Sequence, residues 1–90
     1  MIYMLPLVAE FFGTFLLLMS IFTTGNAFVI GGTLTLLILV IGGISGSHVN
    51  PAVSVAMLYK GAISTTEFIT YTLAQSAGAV AALYAYSALA

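Results

Sequence analysis

From Phe11 to Tyr59 the chain carries no Asp, Glu, Lys or Arg. Its charged side chains are Glu10, Lys60 and Glu67, 3% of 90 residues, while 62% are hydrophobic and the mean hydropathy is +1.25. A water-soluble domain carries about a quarter charged residues, so this composition reads as an integral membrane protein. Lipid then constrains the backbone as strictly as the side chains. An unpaired N–H or C=O is costly in hydrocarbon, so the chain must be helical there, or broken only where protein or a water-filled cavity surrounds the break.

The same composition removes several function classes. There is no cysteine, which excludes a thiolate metal site, and a single His excludes a His-rich metal cluster. No metal or other cofactor is expected, and no basic patch exists for nucleic acid. One His and two carboxylates far apart in sequence offer no catalytic constellation, so an enzyme is not expected. The N-terminus lacks the basic region of a secretory signal, and its apolar stretch is long enough to stay in the membrane.

Three hydrophobic spans are legible: Met4 to about Thr24, Phe28 to about Ile44, and Thr66 to about Ala88. Each approaches the ~20 residues that a bilayer-crossing helix needs. Thr23-Thr24-Gly25-Asn26 forms a polar turn between the first two. The third carries small residues at helical spacing, Ala74, Gly78 and Ala82 on one stripe and Ala77, Ala81 and Ala85 on another, suited to close helix packing. Ser64 and Glu67 are spaced as a capping box at its start.

Between the second and third spans lies a different object, Ile44-Ser45-Gly46-Ser47-His48-Val49-Asn50-Pro51-Ala52-Val53-Ser54. Gly42, Gly43 and Gly46 are expected to loosen the backbone. Asn50 can then cap exposed amides at a helix start, and Pro51 suits a first helical position, where no N–H is needed. The new helix is expected to run over 50–60 and stop near Lys60-Gly61, with Lys60 complementing its dipole. Ten residues rise about 15 Å, half of the ~30 Å hydrocarbon core, which predicts a re-entrant segment.

Taken together, Ala9-Glu10-Phe11-Phe12-Gly13-Thr14-Phe15, the Asn50-Pro51-Ala52 loop, and Tyr71, Ala74-Gln75, Gly78-Ala79 and Ala82 resemble the N-terminal half of an aquaporin. Aquaporins are the major intrinsic protein family of water and glycerol channels. The resemblance covers nearly the whole chain in order. It implies an all-α membrane protein of three transmembrane helices plus one re-entrant half-helix, a single half-aquaporin repeat over 1–90. It implies that Asn50 donates hydrogen bonds into a pore and that the carbonyls of Gly46, Ser47, His48 and Val49 form an acceptor ladder beside it. Glu10 would brace the loop by accepting from its backbone amides, with Pro51, Ala52 and Gln75 as further support. His48 reads as a satisfied loop residue and Gln75 as an interhelical hydrogen bond. A half-helix N-terminus carries about +0.5 of a charge, which at the midplane repels cations.

The family's pore has two such halves in inverted orientation, so one repeat requires a second chain inserted upside down. Three crossings place the two chain ends on opposite sides. Orientation follows Lys and Arg in short loops, and Lys60 is the chain's only such residue, so both orientations are expected. The implied constriction falls at Ile30 and at Val53, where the family's filter carries an aromatic or histidine side chain and, after its second motif, an arginine. The expected assembly in the lipid bilayer is an inverted homodimer, with four pores and eight chains. Two alternatives stand beside a channel for water or small neutral solutes: a non-conducting partner of a full-length aquaporin, and a folded half-repeat that transports nothing.

Overall fold

A computed structural model describes residues 4–90; residues 1–3, with which the expected 1–90 repeat begins, lie outside the described residues. The described chain holds four helices: α1 over Met4–Thr24, α2 over Ala27–Ser45, α3 over Pro51–Lys60 and α4 over Thr65–Leu89. Two of them, α1 and α2, are long and apolar enough to cross a membrane. At 1.5 Å per residue, the 21 residues of α1 rise ~32 Å and the 25 of α4 ~38 Å, against ~15 Å for the ten of α3.

Each start and stop has a local cause. The Asn26 side chain accepts from the amides of Phe28 and Val29 and begins α2. Ser64 and Glu67 form a reciprocal capping box, with Ser64 Oγ accepting from the Glu67 amide at 3.1 Å and Glu67 Oε1 accepting from the Ser64 amide at 2.9 Å. Gly46 and Gly61, with φ of 90° and 84°, end α2 and α3 in the left-handed conformation that favours glycine. The expectation that Gly42 and Gly43 loosen the chain is corrected. Both lie within α2, and the Gly42 carbonyl accepts from the Gly46 amide at 3.0 Å, so the helix holds until the left-handed residue itself.

The packing is a row rather than a ring. α1 lies between α4 and α2, and α3 lies against α4. Contacts along α1 and α4 rise together in number, Glu10 with Gln75 and Phe22 with Tyr86, so these two helices run parallel. Their close approach depends on Gly78, where an added Cβ would sit 2.3 Å from the Phe11 carbonyl oxygen. Of the two small-residue stripes, Gly78 and Ala82 are buried against this contact, while Ala77 is exposed. The outer surface is apolar: Phe28, Leu39 and Val40 of α2 stand mostly free. In water such a patch marks an interaction surface, whereas in lipid it is ordinary.

Candidate functional site

The site is built around one buried carboxylate. Glu10 is wholly inaccessible and accepts from four donors on three other segments. Oε1 takes the Val49 amide and the Gln75 Nε2 group, each at 2.8 Å. Oε2 takes the His48 amide at 3.0 Å and the Ser45 hydroxyl at 2.6 Å. Both oxygens act as acceptors only, the hydrogen-bonding pattern of a carboxylate. A buried charge is tolerable only when paired or fully hydrogen-bonded, and here two of the donors are amides just ahead of α3, where the helix dipole favours negative charge.

These bonds hold a backbone that would otherwise relax. Ser47 and Val49 have φ of +50° and +46°, the left-handed region, where a β-branched residue is an outlier. Each such residue costs on the order of 1–3 kcal/mol and persists when its surroundings over-determine it. Glu10 fixes the amides of His48 and Val49, and Ser45 Oγ accepts from the Ser47 amide at 3.1 Å. The Tyr71 hydroxyl donates to the Ser45 carbonyl at 2.7 Å. The alternating turn directs the amides inward, and no hydrogen bond among the described residues ends on the carbonyls of Gly46, Ser47, His48 or Val49.

A second set of contacts anchors α3. Ser54, fully buried, lies 2.8 Å from His48 Nδ1 and accepts from Gln75 Nε2 at 3.0 Å. The His48 ring packs on Tyr71 with centroids 5.0 Å apart. His48 Nδ1 thus has a partner within the chain, and Gln75 reaches from α4 to α1 and α3. Ser45, Ser54 and Tyr71 stand within the motifs read from the sequence but were given no role there, although a polar side chain within an apolar helix was the available signal at each.

Asn50 sits at the start of α3 with its side chain exposed, and its Oδ1 accepts from the Ala52 amide at 2.8 Å. With Oδ1 held by the helix it caps, the Nδ2 group is turned away from the helix start and has no acceptor among the described residues. Asn50 lines an open cavity of about 310 Å³ beside Pro51, between α1 and α4. Leu17, Leu18, Ile21, Val49 and Ala79 make most of the wall apolar, and Thr14, Gln75 and Ser76 supply polar groups. Of the expected pore residues, Val49 and Asn50 line this cavity. Gly46, Ser47 and His48 do not, and Ser47 and His48 are buried. Ile30, in the first turn of α2, and Val53, in α3, are half-buried and do not line it either. Among the described residues no cluster of His, Cys, Asp or Glu could hold a metal.

An apolar helical row, with a ten-residue helix capped by Asn50 and the loop ahead of it held by one carboxylate, fits an all-α membrane protein. The comparisons place it further. The sequence profile of the Major intrinsic protein family matches residues 22–89, and the chain belongs to that family. It is similar to Aquaporin Z of Brucella melitensis biotype 1, 37% identical over 89 residues covering 82% of this chain and 39% of that protein. It is also similar to Glycerol uptake facilitator protein-like 6 of Lactiplantibacillus plantarum, 41% identical over 83 residues, covering 82% of this chain and 38% of that protein. Aquaglyceroporin AqpS of Rhizobium meliloti is 38% identical over 56 residues, 62% of this chain and 24% of that protein. The chain thus spans about two-fifths of the length of the first two relatives. No solved structure matches.

Proposed function

We propose that the chain is a passive channel for water and small neutral solutes such as glycerol, its pore formed by two copies in inverted orientation. The observation that carries this reading is the Asn50 side chain, whose Oδ1 caps a half-length helix while the residue lines an open cavity and its Nδ2 bonds nothing among the described residues. In this reading α1, α2 and α4 cross the bilayer, α3 re-enters to mid-depth, and residues 1–90 act as one half-aquaporin repeat. Asn50 donates to passing solute, and the uncommitted carbonyls of Gly46, Ser47, His48 and Val49 accept from it. A solute held by fixed donors and acceptors is oriented, and a chain of waters so oriented does not relay protons. Ile30 and Val53, brought in from both copies, form an apolar constriction without arginine, which suits partly apolar neutral solutes. Pro51 and Ala52 make the contact at the midplane. The relatives named for water and for glycerol support this class of solute. Four such pores, eight chains, make the assembly.

Stopped-flow light scattering on vesicles containing this chain alone tests the reading. Osmotic shrinkage faster than in protein-free vesicles, with no change in ion leak, is the expected outcome; background shrinkage for water and for glycerol removes the channel.

A further inference from the structure

Two buried oxygens in the wall of the cavity that Asn50 lines have no donor. Thr14 Oγ1 and Gln75 Oε1 are without a partner, although the two residues are 3% and 1% exposed. Gln75 is held by its other end, with Nε2 donating to Glu10 and to Ser54. Turned the other way, its oxygen would meet the Glu10 carboxylate, acceptor against acceptor. Thr14, one turn beyond Glu10 on α1, departs from the habit of the chain. Thr23, Thr24, Thr33, Thr35 and Thr70 each donate to the carbonyl four residues back, at 2.6 to 3.0 Å, and Thr14 does not. Thr72 is unpaired as well, but it does not line the cavity.

The lining says what kind of molecule would satisfy these atoms. A buried acceptor left without a donor is costly, so both call for an O–H or N–H from outside the chain. No charged side chain lines the cavity, which favours a neutral ligand. Asn50 Nδ2, with no acceptor among the described residues, adds a donor on the same cavity. A hydroxyl serves both kinds of group, since it donates and accepts. The remaining wall, Leu17, Leu18, Ile21 and Ala79, is apolar, and about 310 Å³ has room for several water-sized molecules. A molecule with hydroxyls along one edge and C–H groups along the other therefore fits the lining better than water does. Gly46, Ser47 and His48 do not line the cavity, so their carbonyls leave the accepting there to side chains.

We infer that Thr14 Oγ1 and Gln75 Oε1 form the acceptor edge of a subsite for a small polyol, whose hydroxyls donate to them and accept from Asn50 Nδ2. Its carbons lie on the leucine wall. Both oxygens sit just beneath the cavity surface, and the half-buried Leu17 and Leu18, three and four residues from Thr14, turn aside to admit the solute. A polyol engages both acceptors at once and a water only one, which makes Thr14 a residue that separates the two. The subsite names the solute class of the channel proposed above and rests on that reading for passage, whereas binding needs only one copy of the chain.

The chain has three side-chain amides, Asn26, Asn50 and Gln75, so their NH₂ signals are few in the NMR spectrum of the ¹⁵N-labelled protein in micelles. Glycerol is the probe, and its trimethyl ether, the same skeleton without an O–H, is the control. Glycerol should shift the Gln75 and Asn50 signals saturably and leave that of Asn26, in the α1–α2 turn, in place; the ether should not move Gln75. Thr14→Val removes a hydroxyl that bonds nothing within the chain, so resistance to SDS should match the parent. It should weaken glycerol binding about two- to twelvefold, the worth of one net hydrogen bond, and Thr14→Ser should restore it. No saturable shift at Gln75, an equal response to the ether, or a Thr14→Val variant that binds like the parent overturns the subsite. In vesicles Thr14→Val should lower glycerol permeability more than water permeability, and an equal loss gives the site to water and overturns the polyol. Saturable shifts with background flux leave the subsite standing and remove the channel; glycerol flux without shifts does the reverse.

Discussion

Replacing Glu10 with Gln keeps the shape of the side chain and changes one acceptor oxygen into a donor. Two orientations are open to it. With Nε2 at the present Oε1, it meets the Val49 amide and Gln75 Nε2, two donors, and Gln75 must flip away from Ser54. With Nε2 at the present Oε2, it meets the His48 amide and the Ser45 hydroxyl. Ser45 can rotate and accept instead, its proton turning toward the Ile41 carbonyl, now 3.5 Å away. The second orientation therefore costs least and orphans a single group, the His48 amide. One unsatisfied buried N–H costs about 1–3 kcal/mol. The remaining bonds also weaken, since a bond to a charged group contributes about 1.5–3 kcal/mol and a neutral one about 0.5–1.5. Relief from burying a charge offsets part of that loss. The net expectation is a destabilisation of about 1–3 kcal/mol, concentrated on the left-handed turn at Ser47 and Val49. Amide hydrogen exchange in detergent micelles reads it directly: His48 loses protection by about five- to 150-fold, Val49 less, and the α1–α4 amides around Gly78 little. Unchanged exchange at His48, or loss spread evenly over all four helices, would refute the claim that Glu10 holds this turn.

Other substitutions separate the remaining parts of the account. Ser47→Gly removes a buried hydroxyl without a partner and relieves a φ of +50°, so resistance to SDS unfolding should rise by about 1 kcal/mol, the gain being trimmed by glycine's greater freedom when unfolded. Gly78→Ala sets a methyl 2.3 Å from the Phe11 carbonyl, a backbone atom that cannot step aside, and should cost about 1–3 kcal/mol in the same assay by parting α1 from α4. Asn50→Asp keeps the cap on Ala52 but replaces the free amide donor with an acceptor; vesicle flux should show an altered solute or cation profile, and an unaltered profile would take Asn50 out of the pore. A single cysteine at Asn26 should react with membrane-impermeant maleimide from both sides of the native membrane, and one-sided reaction would remove the inverted pair there.

The local devices of this fold were legible because each is written in a few adjacent residues. Asn50 with Pro51 starts α3, and Ser64 with Glu67 starts α4, through hydrogen bonds spanning two or three residues. The four-donor arrangement around Glu10 was legible only in part. The role of Glu10 was implied by the family resemblance, but its partners Ser45 and Gln75 lie 35 and 65 residues away, and no spacing rule connects them. Ser54 meets His48 only because Val49 turns left-handed, a conformation a β-branched residue gives no reason to expect. The glycines misled for a related reason: Gly42 and Gly43 stay helical despite glycine's low helix propensity, whereas Gly46 is the one whose φ the turn requires. Glu10 on the two amides just ahead of α3 also offsets the positive end of that helix.

The central claim is that two chains are needed for one path across the bilayer. Osmotic water permeability per chain, measured in vesicles over a series of protein-to-lipid ratios, tests it most directly. A pore built from two copies predicts permeability per chain that rises with protein density and then levels as pairs form. Permeability that stays at the lipid background at every density would contradict the channel, and permeability per chain that is constant down to the most dilute vesicles would contradict the pair.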